Sequence, residues 1–236
     1  NMPNQDWHIA YDSVQDKIYA IGTNLDLDVY TKDSNGTYVL SGEYTITAPT
    51  EGTFQFKAVT SAINESDSKL YIGLSSTTIN GFPEYGNSNY IVNWDCTTDT
   101  QGVTWSDSSV YATDGNIRGH LKGYTMVYSK TQNKIYYKYI YPTNESGTAI
   151  YSVDVNTGTF TYVAADMLGY GAQMSATYGT NIFANRLNLD PLEELLYSLT
   201  YNGSFTSIGR VINLDTNTTV YDITSNKATA AIRNTT

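Results

Sequence analysis

Few side chains in this chain could do chemistry. Its 236 residues hold two histidines, His8 and His120, and one cysteine, Cys96. Neither histidine has a second His or a Cys at metal-ligand spacing, so no zinc site is encoded. A lone thiol makes no internal disulfide. Cys96 reads as a small apolar core residue, with a reactive or intermolecular thiol as the alternative. His120 stands in GNIRGHLKG, a stretch read as long loop, and is a surface histidine before it is a catalytic base. Acids gather in NLDLD (24–28) and DPLEE (190–194). With backbone oxygens they have the hard-ligand chemistry of a Ca2+ site, but neither has EF-hand spacing, and solvated turn acids are the plainer reading. No G-x-S-x-G, P-loop or H-E-x-x-H occurs. Neither a catalytic residue nor a cofactor follows, and a Ca2+ site stays open.

Two other residue sets have chemistry of a different kind. Six N-x-S/T sequons lie at Asn35, Asn64, Asn144, Asn202, Asn217 and Asn234. Asn and Ser/Thr are so abundant that chance predicts a similar number. The five internal sequons nevertheless fall in expected turns, where glycans attach. Tyr85, Tyr111 and Tyr170 sit in three long polar segments, 75–89, 106–120 and 165–179. Long loops on a rigid scaffold often carry function, and these rings could stack on sugar or peptide. The alternative is that they plug the ends of a scaffold channel.

Charge sets limits on partners. Thirteen Lys+Arg against 23 Asp+Glu give a net charge of −10, and charged residues make up only 15%, below the usual ~25%. Nucleic acid and anionic membranes are disfavoured, since each needs a basic face. No apolar run is long enough to span a membrane as a helix. A polar but weakly charged surface suits a turn-rich β-protein of the secreted or cell-surface kind. The chain opens Asn1-Met2-Pro3-Asn4, which suggests processing or truncation.

The elements that position these residues repeat. DSVQDKIYAIG (12–22), NESDSKLYIGL (64–74), SKTQNKIYYKY (129–139) and DPLEELLYSL (190–199) each run from a polar turn into Ile/Leu-Tyr. Their anchor tyrosines are Tyr19, Tyr71, Tyr136 and Tyr197. After each comes an apolar strand, an Asp/Asn/Thr/Gly turn and an aromatic strand, as in AIYSVDVNTGTFTYVA (149–164), which is hairpin chemistry. Before each comes one more strand: WHIAYD (7–12), TFQFKAVTSA (53–62), GYTMVYS (123–129) and TNIFANRL (180–187). DPLEELLYSL also carries helix-start signals in Asp190, Pro191 and Glu193. A short helical turn leading into a strand at 195–200 is expected there. In KIYYKYIY, Ile135, Tyr137, Tyr139 and Tyr141 share one face, while Tyr136 and Ile140 lie on the other. Such a strand must be covered on both sides, and tyrosine fits because its hydroxyl reaches a partner from a packed ring.

Four four-stranded units in tandem predict an all-β fold of propeller-like blades. They span about 5–48, 52–112, 122–166 and 178–226 in a single domain, 1–236. Residues 227–236 form a closing strand or start a further unit, and a β-sandwich is the fallback. The strand-Asp-Thr/Asn/Gly pattern resembles propeller repeats of the YVTN, kelch and quinoprotein-like kinds, without the kelch double glycine or a WD dipeptide. CTTDTQGVTW (96–105) resembles the Asp-box of sialidase-like propellers at Thr97, Asp99, Gly102, Thr104 and Trp105, with one extra residue before Gly102. In that family the motif is a structural hairpin far from catalysis. With only Arg118, Arg186, Arg210 and Arg233 in the chain, a sialidase's arginine cluster is not expected.

These readings favour a glycosylated, non-catalytic module, extracellular or at the cell surface, for adhesion, recognition or assembly. Its partners would be an extracellular protein, a carbohydrate or other copies of itself, with no nucleic acid and no membrane insertion. One rival is a carbohydrate-active or lactonase-type enzyme with its site at the propeller mouth. Another is a structural subunit of an extracellular filament.

Overall fold

A computed structural model describes residues 7–50, 55–77, 89–106, 120–140, 148–165, 186–190, 192–201 and 207–223. The described residues form sixteen strands in four antiparallel four-stranded sheets, each a meander in chain order. Blade 1 holds β1 (Trp7–Asp12), β2 (Lys17–Gly22), β3 (Asp26–Lys32) and β4 (Tyr38–Thr45). Blade 2 holds β5 (Gln55–Asn64), β6 (Lys69–Thr77), β7 (Asn89–Asp95) and β8 (Thr100–Ser106). Blade 3 holds β9 (His120–Ser129), β10 (Lys134–Ile140), β11 (Thr148–Asp154) and β12 (Phe160–Ala165). Blade 4 holds β13 (Arg186–Leu189), β14 (Leu195–Tyr201), β15 (Ser207–Asn213) and β16 (Thr218–Ile223). The chain divides into two compact units, Asn1–Ser109 with blades 1 and 2, and Val110–Thr236 with blades 3 and 4.

The turns explain why the strands stop where they do. Between third and fourth strands, one side-chain oxygen bonds two backbone amides. Asp95 Oδ1 accepts from Thr97 and Thr98, Asp154 Oδ1 from Asn156 and Thr157, and Asn213 Oδ1 from Asp215 and Thr216. Asp33 does the same for Asn35 and Thr37. Each turn then passes through a left-handed residue: Gly36, Asp99, Gly158 or Asn217. Between first and second strands, Asp12, Asn64, Ser129 and Asp190 play the capping part, followed by Asp16, Ser68, Asn133 and Glu193 at positive φ. Short polar side chains that bond their own backbone make these conformations accessible.

Three expectations need adjusting. His120 opens β9 instead of lying in a loop, because it pairs with Ile140 beyond a register shift between Tyr137 and Tyr139. The first strand of the fourth repeat is Arg186–Leu189, while 180–185 lie outside the described residues. Before β14 there is one closed turn and no helix among the described residues. Leu195 N donates to Asp190 Oδ1 (2.7 Å) and Glu193 N to Asp190 O (2.9 Å).

Burial follows the repeat. Tyr19, Ile21, Leu27 and Val29 of blade 1 pack with Leu70, Ile72, Val92 and Trp94 of blade 2. In the second unit, Tyr136 and Ile150 pack with Leu187, Leu196, Ile212 and Leu214. Ile135, Tyr136 and Tyr137 are all buried, so β10 is covered on both faces as its sequence predicts. Lys138 is buried as well, which no feature of the strand pattern anticipates. Among the described residues no helix is long and apolar enough to cross a membrane.

Candidate functional site

The tight-turn end of the blades is occupied with holding neighbours together. Tyr19 Oη lies 3.2 Å from both Cys96 O and Asp99 Oδ1 in the next blade. Beside it Lys17 Nζ donates to Cys96 O (2.9 Å) and Asp99 Oδ2 (2.7 Å). Ser13 Oγ donates to Glu65 and Gln15 Nε2 to Ser68 Oγ across the same seam. In the second unit, Glu193 Oε2 accepts from Ser129 Oγ (2.8 Å) and Thr131 N (2.7 Å), and Gln132 Nε2 donates to Asp215 (2.9 Å). Burial, with Asp215 and Glu193 nearby, pushes the Tyr136 hydroxyl up to about 12. Of the DPLEE acids, Glu193 thus builds the seam, while Asp190 caps its own turn. Asp99 and Trp105, two Asp-box-like residues, are structural too, since Trp105 stacks on Tyr71 at 5.9 Å.

Cys96 is a seam residue. It is buried, and burial is the main reason its thiol is pushed up to about 12. Its amide donates to Ser68 O (2.8 Å), as Val155 N does to Asn133 O and Leu214 N to Glu194 O in the later blades. The three positions are equivalent, and the other two hold aliphatic side chains.

The other sequence-selected residues are spread apart. Asn35 and Asn217 are exposed in β3–β4-type turns. Asn64 is 1% exposed; its Oδ1 accepts from Ser66 Oγ and Asp67 N, and its Nδ2 donates to Asp67 Oδ2. Asn144, Asn202, Asn234, Tyr85, Tyr111 and Tyr170 lie outside the described residues. His8 is half-buried in β1. Among the described residues, no three His, Cys, Asp or Glu side chains converge as metal ligands. Because each sheet is a meander, the strands flanking 78–88, 107–119 and 166–185 all end on the edge opposite the capped turns of their own sheet.

One face of blade 1 combines apolar surface with charge. The register places Ile9, Tyr11, Ile18, Ala20, Asp28, Tyr30, Lys32, Tyr38 and Leu40 on it, opposite the face packed on blade 2. Tyr11 and Tyr38 hydroxyls both donate to Asp16 Oδ1, and Lys32 pairs with Asp16 at 2.8 Å. Lys32 first, then the two phenols, hold the Asp16 carboxyl down at about 2. Lys32 also stands 5.1 Å over the Tyr38 ring. Farther along, Asp28 and Glu43 sit directly opposite each other across β3–β4. Desolvation, then Glu43 and Asp26, raise the Asp28 carboxyl. The sequence signal for this face is the apolar alternation of Ile9 and Tyr11 in WHIAYD. It identifies a strand and no more, because nothing in the pattern says which face a neighbouring blade will cover.

No family model matches the chain. No curated protein matches it either. Solved structures do, β-propellers among them. The chain is similar to a Dos1 propeller (11% identity, TM-score 0.52, covering 94% of this chain and 47% of that one). It is similar to a Hadza microbial sialidase, Hz136 (7% identity, TM-score 0.62, 94% and 46%). A third match is the Cps50 (Swd1) β-propeller domain of Myceliophteria thermophila (8% identity, TM-score 0.52, 92% and 54%). The chain spans about half the length of the structures it matches. At these identities the likeness establishes the fold alone: an all-β array of four propeller-type blades.

Proposed function

We propose that this chain is a non-catalytic recognition module, extracellular or at the cell surface, that binds a partner through blade 1. One observation carries the reading. Large apolar groups stand open along the outer strands of one face of blade 1, with Ile9 69%, Leu40 47% and Tyr11 43% exposed. Large apolar groups gathered on one open face mark interaction sites more often than solvent surface. N-glycans at Asn35 and Asn217 would sit on the capped turns of their own blades, and Tyr85, Tyr111 and Tyr170 remain the sequence's candidates for further contacts.

The test is binding of purified chain to a panel of immobilised extracellular-matrix proteins and glycans, beside turnover of glycoside and lactone substrates. The reading expects saturable binding that Ile9→Asp/Leu40→Asp abolishes. Substrate turnover that survives repurification would replace it with the enzyme reading. Concentration-dependent light scattering lost in the same variant would replace it with the filament-subunit reading.

A further inference from the structure

We propose that the bulge in the fourth strand of every blade guards that strand against pairing with another chain, so that copies do not assemble edge to edge. The inference does not depend on the recognition reading, and it bears on the filament alternative. Each sheet is a meander whose fourth strand is hydrogen-bonded to the third strand and ends the sheet. In blade 1, Val29 pairs with Gly42 and Tyr30 with Leu40, so Ser41 is an extra residue. In blade 2, Val92 pairs with Thr104 and Trp94 with Gln101, which sets Gly102 and Val103 against Asn93 alone. Val163 is the extra residue of blade 3, between the Tyr151–Tyr162 and Ile150–Ala164 pairs. Val220 is that of blade 4, between Ile212–Thr219 and Val211–Tyr221.

The placement is selective. Second and third strands pair without a shift in all four blades. First strands are mixed: β5 and β9 pair with a shift, β1 and β13 without one. Only the fourth strands, among the described residues, are bulged in every blade. An extra residue breaks the even ladder, bends the strand and steepens its twist. An incoming straight strand could then match the edge over only part of its length. Ser41 shows how the fold accommodates this, since its Oγ donates to Val29 O (3.0 Å) on the third strand.

What the bulges guard is apolar. Leu40 is 47% exposed beside Ser41 and Tyr162 53% beside Val163, while Val103 (62%) and Val220 (52%) lie in the bulges themselves. A regular edge strand with such side chains is the kind that recruits a second strand. Charge gives uneven protection. Glu43 stands on β4 and Asp222 on β16, but β8 and β12 carry no charged residue. The bulge is the feature all four edges share.

Hydrogen exchange of the intact chain, compared between dilute and concentrated solution, tests this first. Amides of 39–43, 101–105, 161–164 and 219–222 are expected to exchange at the same rate in both. Slower exchange in the concentrated sample would show edges pairing despite their bulges, and overturns the proposal. Deleting Ser41 or Val220 is the second test. Each deletion joins residues already opposite successive third-strand positions, Leu40 and Gly42 against Tyr30 and Val29, or Thr219 and Tyr221 against Ile212 and Val211. Flanking side chains therefore keep their faces. Sedimentation of each variant is expected to shift to larger species as concentration rises, with exchange of the altered strand slowed. Variants that fold by circular dichroism and sediment as the parent does overturn the proposal. Where a deletion prevents folding, exchange in the parent decides alone.

Discussion

Tyr19 joins two blades through a single oxygen, which makes it the simplest place to measure what a seam contact contributes. Its hydroxyl meets the Cys96 carbonyl and Asp99 in a buried setting. Tyr19→Phe keeps the ring and is expected to lower unfolding free energy by about 0.5–1.5 kcal/mol in urea denaturation, the usual worth of one such bond. An unchanged midpoint would show that Lys17, which bonds the same two acceptors, carries the seam alone. Cys96 gives a pH prediction. Its thiol is pushed up to about 12 mainly by burial, against about 8.5 in an unfolded chain. The unfolded state therefore loses its proton first as pH rises. The stability this group contributes is complete below about 8.5 and is lost progressively towards about 12. Tyr136, also raised to about 12, acts in the same direction above its ordinary value near 10. Native protein should leave Cys96 unmodified by a thiol reagent at pH 8, with full modification in denaturant; rapid native modification would contradict its place in the seam.

Turns and strands are the most legible level, and the reasons are local. An Asp or Asn closing a strand before Thr/Asn/Gly has few alternatives to bonding its own backbone, so Asp95, Asp154 and Asn213 announce their hairpins. Asp95 also holds Lys69 across the strands. Asp95→Ala is expected to cost about 1–2 kcal/mol, on the scale of a lost cap. Asp33→Ala should cost less, since Asp33 makes the turn bonds but no ion pair among the described residues. Asn64 is legible as a sequon and not as a cap, because the same Asn-x-Ser string serves both. With its amide committed to Asp67, Asn64 is expected to stay bare when the chain passes through a glycosylating secretory pathway, and glycans are expected on Asn35 and Asn217. Glycopeptide mapping decides this, and an occupied Asn64 would mean the turn opens. The seam acceptors are not legible at all. They are backbone carbonyls such as Cys96 O, which no side-chain pattern encodes. Lys138 shows the same limit from the other side, since alternation predicts a face but not what will cover it.

At the scale of the whole molecule, four copies of one blade carry matching register positions, and blade 1 sets two acids opposite each other at one of them. The Asp28–Glu43 opposition is the altered position, and it has a pH signature. A carboxyl raised in the folded state binds its proton before the unfolded one does. Stability from this site therefore falls as pH rises through the interval between the unfolded value near 3.9 and the raised folded one. Asp28→Asn should remove that slope. Thermal unfolding of Asp28→Arg at pH 7 tests the equivalence of the blades most directly, because it transplants into blade 1 the blade 4 pair in which Arg210 of β15 donates to Asp222 of β16 (2.7 Å) at the matching positions. If the blades are equivalent, the introduced guanidinium will pair with Glu43 as Arg210 does with Asp222. Tm should then rise by roughly 2–4 °C, the shift expected for about 1 kcal/mol in a chain of this size. A Tm below that of the parent would mean the two positions are not equivalent, and would contradict the repeat.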